Sequence, residues 1–170
     1  RGAGSAASAT RSARLEGGPV APDLLAHLPL PPSGNKVFET AVRPGRGGKG
    51  SFASMHLSAE ARRYKEAVKA LLLSEHSAEM AALVPEGLYE IRMTFVFEVF
   101  NRGWPEKTET RVKRTDVSNR ILLLENCLKE ATGIDDSHNF RLVVEKRPPD
   151  GEEEGVSIAM TRLPDDPDDW

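Results

Sequence analysis

The chain has 170 residues, 39% hydrophobic and 29% charged, enough for one domain with a core and some chain to spare. No apolar run approaches the roughly 18 residues that cross a bilayer, and the single cysteine, Cys127, excludes an intramolecular disulfide framework and a cysteine-rich zinc site. The net charge of −3 excludes a uniformly basic surface but hides an asymmetry: residues 1–57 carry seven Lys/Arg against three Asp/Glu, and residues 147–170 carry two against eight. A basic front and an acidic tail point to different partners at the two ends.

Residues 1–25 read as a low-complexity extension. Their first part, RGAGSAASATRSARLEGG, is rich in Ala, Ser, Gly and Arg and has no apolar period. Such a segment cannot bury enough surface to offset its ordering entropy. It reads either as an unstructured terminus or as the remainder of an organellar transit peptide, with Arg1 as a processed start. Residues 26–163 are expected to form one domain, and residues 164–170 an acidic tail whose Trp170 either inserts into a partner or is unstructured.

Within the domain, the stretch from His27 to Asn35 holds three prolines, which forbid helix and permit at most an edge strand. Residues 41–51 form a Gly-rich basic loop. It reads as a hairpin tip or, through Lys49, as a phosphate contact, but Gly48-Lys49-Gly50 is no Walker motif. Ser58 is the expected cap of a helix with Ala61, Tyr64, Val68, Leu71 and Leu72 on one face, fraying near His76 with a weaker turn to Leu83. Residues 88–100 alternate as a strand with Tyr89, Ile91, Met93, Phe95, Phe97 and Val99 on its apolar face. A polar connection follows over 101–115. A second helix is expected from Asp116 to Ala131, apolar through Ile121, Leu124, Leu128 and Cys127, and stopped by Gly133. Asp135-Asp136-Ser137 reads as a turn, 139–146 as a strand, Pro148–Gly151 as a turn, and Val156, Ile158 and Met160 as a last strand. The order implies an α+β fold with two main helices on one face of a small mixed sheet.

Two stretches in this order resemble the RusA family of Holliday junction resolvases. The first is Leu28-Pro-Leu-Pro-Pro-Ser-Gly-Asn35, a basic loop, then Leu57-Ser-Ala-Glu-Ala-Arg-Arg-Tyr-Lys-Glu-Ala-Val68. The second is Lys113-Arg-Thr-Asp-Val-Ser-Asn119, a helix, then Gly133-Ile-Asp-Asp-Ser137 and a strand ending Val144-Glu-Lys146. The resemblance spans residues 26–163. It implies a small α+β homodimer that binds branched DNA and cuts it with Mg²⁺, the metal held by Asp116, a second aspartate, and Asp135 or Asp136. Hard Mg²⁺ takes several oxygens and keeps waters, one of which can attack phosphorus. Carboxylates at both ends of one helix meet only if the chain folds back, which the turn and the following strand would do.

The chain departs from that pattern at two positions. Ser118 stands where the second aspartate is expected, and Leu122 where the family has a lysine. A neutral hydroxyl supplies no charge to a dehydration-reluctant ion, and the missing lysine removes a stabiliser of phosphate charge. Glu125 lies two turns from Ser118, about 10 Å along the axis. Asp116 also reads as a plain helix N-cap, and Asp135-Asp136 as solvated turn carboxylates. Arg111, Lys113, Arg114 and Arg120 cluster near the second helix's start, as a solvated face or as phosphate contacts. Trp104 reads as a core cover or a base-stacking side chain. His27, His56, His76 and His138 show no ligand spacing.

The expectation is therefore a RusA-like nucleic-acid-associated protein without resolvase chemistry. It would bind RNA or DNA and neighbouring proteins as a structural subunit of a large assembly such as a mitochondrial ribosome, with no membrane partner. No cofactor is expected, or Mg²⁺ if the acidic site functions. The alternative is an active Mg²⁺-dependent junction endonuclease, and for location the cytoplasm in place of the organelle matrix.

Overall fold

The structure, a computed structural model, describes residues 21–33, 36–44, 51–113, 115, 117–166 and 168. A mixed four-stranded sheet is built from β1 (Leu24–Pro29), β4 (Tyr89–Val96), β5 (Asn139–Arg147) and β6 (Gly155–Arg162) in the order β1-β6-β4-β5. Only β4 and β5 run parallel; β6 is antiparallel to both β1 and β4. A separate antiparallel hairpin pairs β2 (Phe38–Pro44) with β3 (Ser51–Leu57). Three helices complete the fold: α1 (Ala59–Glu75), α2 (Ser77–Ala82) and α3 (Ser118–Thr132). The fold is α+β, as the order of elements implies. Among the described residues no helix is long and apolar enough to cross a membrane.

Alternation places each strand's inner row. Leu24, Ala26 and Leu28 of β1 are buried, as are Ile91, Met93 and Phe95 of β4 and Val156, Ile158 and Met160 of β6. They share one core with Ala61, Val68 and Leu72 of α1 and Leu123, Leu124, Cys127 and Leu128 of α3. The opposite face is polar, where Glu90 pairs with Arg92 (3.1 Å) and Arg141 (3.0 Å). The two arginines hold the Glu90 carboxyl below its ordinary range, Arg141 foremost.

Local signals set the helix ends. The Ser58 hydroxyl accepts from the Ala61 amide (3.0 Å), capping α1. Gly133 closes α3 at φ 76°, a conformation that favours glycine. The start of α3 differs from expectation: its cap position is Val117, without a side-chain cap bond, one residue later than Asp116. The proline-rich stretch does carry an edge strand, but β1 begins at Leu24, ahead of the prolines. The basic loop stands on two strands of seven residues each, where only a hairpin tip was expected. The long strand ends at Val96, not at residue 100.

Candidate nucleic-acid interface

The connection from β4 to α3 folds as an arm. Phe100 bridges Val112 in antiparallel fashion, the Asn101 amide donates to the Arg111 carbonyl (2.9 Å), and the Lys113 amide donates to the Val99 carbonyl (2.9 Å). The Arg111 guanidinium lies over two rings, 5.3 Å from the Phe100 centroid and 5.7 Å from that of Trp104. Both rings retain solvent exposure, 38% and 46%. A cation stacked between accessible aromatics offers an anion contact beside a π-face, which suits an unpaired nucleotide.

At the foot of the arm is an open cavity of about 250 Å³ lined by Phe97, Val99, Phe100, Val112, Lys113 and Lys146 among others. The Lys146 ammonium donates to the Thr115 carbonyl (2.7 Å), which fixes it at the approach to α3. Glu98 borders this region. The Phe100 amide and then the Arg102 guanidinium hold its carboxyl below the ordinary range.

The expected basic cluster is only partly assembled. Arg111 and Lys113 lie on the arm and at the cavity. Lys49, Arg114 and Asp116 lie outside the described residues. Arg120 is a correction: it is 8% exposed, its guanidinium 5.6 Å from the Phe97 centroid, so it joins the edge of the core and not a solvated basic face. Its Nε and Nη1 are buried and have no hydrogen-bond partner among the described residues. Burial lowers its pKa, an effect opposed by the Glu154 carboxylate.

The carboxylates are arranged differently from the resolvase pattern. Asp135 and Asp136 follow the C-terminal end of α3, and both meet Lys129 of its last turn, at 2.5 Å and 3.4 Å. Lys129 and the Ser137 amide hold the Asp135 carboxyl well below its ordinary range, and the pair raises the Lys129 ammonium in return. The 15 residues of α3 span about 22 Å at 1.5 Å per residue, so this pair sits a full helix away from Val117. The chain does fold back after the turn. However, parallel β5 returns Lys146, not the aspartates, to the start of the helix. Glu125 is held by the Asn139 amide (3.3 Å). Among the described residues no three His, Cys, Asp or Glu side chains group as a metal site would need. Two carboxylates that already share an ammonium do not by themselves fit Mg²⁺, which asks for more hard oxygen donors.

Sequence reasoning missed Lys146 and Phe100 as site residues. Lys146 was visible only as the end of a strand, and Phe100 as the last residue of one; Lys146 is brought there by the β4–β5 pairing and Phe100 by its bridge to Val112. Cys127 is fully buried, as its apolar stripe implied, and burial pushes its thiol up to about 12. No family model matches the chain, and no curated protein matches it either.

Proposed function

We propose that the chain is a RusA-like nucleic-acid-binding protein that has lost resolvase chemistry, contacting phosphates with Lys113 and Lys146 and an unpaired base with the Phe100–Arg111–Trp104 arm. The observation that carries this reading is the position of Lys129. Its ammonium occupies the Asp135–Asp136 pair at the far end of α3 from the cationic arm. Asp135 and Asp136 are thus neutralised by Lys129 and lie away from Lys113 and Lys146, whereas metal-assisted phosphodiester cleavage requires carboxylates and cations around one phosphate. Ser118, a hydroxyl where the family resemblance expects a carboxylate, points the same way. The role that suits such a protein is a docking subunit of a larger nucleic-acid assembly, with an organellar ribosome as the specific expectation.

The test is a synthetic four-way junction and a single strand, each titrated with the full chain and then incubated in Mg²⁺. Binding without cutting is expected. Lys113→Ala and Lys146→Ala should each weaken binding across sequences and reduce the salt slope by about 1. Junction cleavage that disappears in Asp136→Asn would overturn the proposal in favour of an active endonuclease.

A further inference from the structure

We propose that the cavity at the foot of the arm is a pocket for one nucleobase, so that cavity and arm together take two neighbouring unpaired bases of a single strand. The inference deepens the nucleic-acid reading above and rests on it.

The cavity measures about 250 Å³. An apolar cavity of about 150 Å³ accepts benzene, so this space admits one base but not a base pair. Of its apolar walls, Phe97 and Val99 are buried while Phe100 and Val112 are exposed, which gives a closed floor and an open rim. The rim is fixed before any ligand arrives. Phe100 and Val112 oppose each other across the antiparallel bridge. The Asn101 amide bonds the Arg111 carbonyl on one side of them, and the Lys113 amide bonds the Val99 carbonyl on the other, both at 2.9 Å. Phe100 and Val112 thus form a non-hydrogen-bonded pair, in which facing side chains lie closest. Walls held this way avoid part of the ordering cost of binding.

Charge complements the shape. Lys113 and Lys146 line the same cavity. The Lys146 ammonium spends one of its three donors on the Thr115 carbonyl (2.7 Å), which leaves donors for a phosphate oxygen. Apolar walls with cations beside them match a nucleotide, which joins a π-face to an anion. The bordering Glu98 carboxylate is already engaged by the Phe100 amide and by Arg102, both at 3.2 Å.

Phe100 joins the two halves of the site. It lines the cavity, and its ring lies 5.3 Å from the Arg111 guanidinium, which also covers Trp104 at 5.7 Å. A base in the cavity and a base against the arm therefore share one wall, as consecutive nucleotides of one strand would. Ring and aliphatic walls read a π-face, which every base has, so the pocket tolerates sequence. It selects against pairing. A paired base enters only after leaving its stack, a cost that falls on duplex and not on single strand.

The test compares binding of the full chain to a short oligothymidylate and to an abasic oligomer of the same length and charge, by fluorescence anisotropy across a salt series. The base-bearing strand should bind about tenfold tighter or more, with the same salt slope, because the phosphate contacts are shared. An oligouridylate run beside it shows whether ribose or deoxyribose is preferred, and a base preference with either supports the pocket. Phe100→Leu keeps an apolar rim and removes the ring. It should erase most of the preference while leaving the salt slope, the circular dichroism and the binding of a duplex unchanged. Trp104→Ala, at an exposed position, removes the arm's share alone and should erase part of it. Equal binding of base-bearing and abasic strands overturns the pocket and leaves the phosphate contacts of the nucleic-acid reading standing. A preference that survives Phe100→Leu also overturns the pocket. A chain that binds none of these oligomers overturns both readings.

Discussion

Arg120→Met separates the cost of a buried cation from its contacts. Met keeps the unbranched stem but ends at the position of Arg120 Nε, so it gives up the guanidinium's contact with Phe97, and the two residues have similar helix propensity. The substitution removes two buried donors that have no partner among the described residues, Nε and Nη1. Each unsatisfied donor costs about 1–3 kcal/mol, and a cation in the first turn of a helix opposes the macrodipole. Against this stands a cation–π contact with Phe97, worth about 0.5–1 kcal/mol. The two donors belong to one group, so their costs do not simply add. A net stabilisation of about 1–3 kcal/mol is expected, a rise in Tm of roughly 2–4 °C per kcal/mol for a chain of this size. Urea unfolding at constant m would measure it. If Arg120→Met is less stable by about 1 kcal/mol or more, the guanidinium is held by net favourable interactions with Phe97 and Glu154, and the reasoning fails.

Three further outcomes follow from particular contacts. Gly155→Ala would set a Cβ 2.8 Å from the Leu28 carbonyl and 2.9 Å from His27 Nε2, forcing β1 and β6 apart; a loss of about 1–3 kcal/mol is expected, and an unchanged thermal midpoint would contradict it. Tyr64→Phe removes the hydroxyl that donates to the Pro29 carbonyl (2.8 Å) and should cost about 1 kcal/mol in urea unfolding. Lys129→Met should release Asp135, whose depressed carboxyl contributes stability above its ordinary value near about 3.9 and loses it as pH falls through the lower folded value. Carboxyl-carbon NMR should therefore show Asp135 titrating at higher pH in the variant, and stability should fall less steeply in acid. The raised Lys129 has the opposite sign: its contribution is lost only as pH rises past the ordinary lysine range. An Asp135 titration that does not move would show that the Ser137 amide, not Lys129, sets it.

Periodicity made most of the sheet legible. Val156, Ile158 and Met160 alternate and are buried, and the Ser58 cap and Gly133 stop fall within a residue of the observed ends of α1 and α3. Of the β2–β3 hairpin only the tip was legible, because Gly and basic residues dominate its centre and neither strand carries a clean apolar alternation. The site was harder to read, for a topological reason. Asp136 is close to the helix in sequence, yet the parallel return of β5 decides which of its residues reaches the start of α3, and that is Lys146. Arg120 looked like part of a basic cluster by spacing with Arg111 and Lys113. Helical phase instead turned it toward Phe97 and the core.

The sheet order has a consequence for how the protein is made. β6 lies between β1 and β4, bonded to both, with Leu24 opposite Met160 and Ile91 opposite Met160 from the other side. The ribosome therefore delivers the keystone last: until residues 155–162 emerge, β1 has no neighbour and one side of β4 stays open. Vectorial assembly of this domain must wait for its final strand. In the meantime the nascent chain presents apolar edges that a chaperone, or a premature encounter with another chain, would meet first.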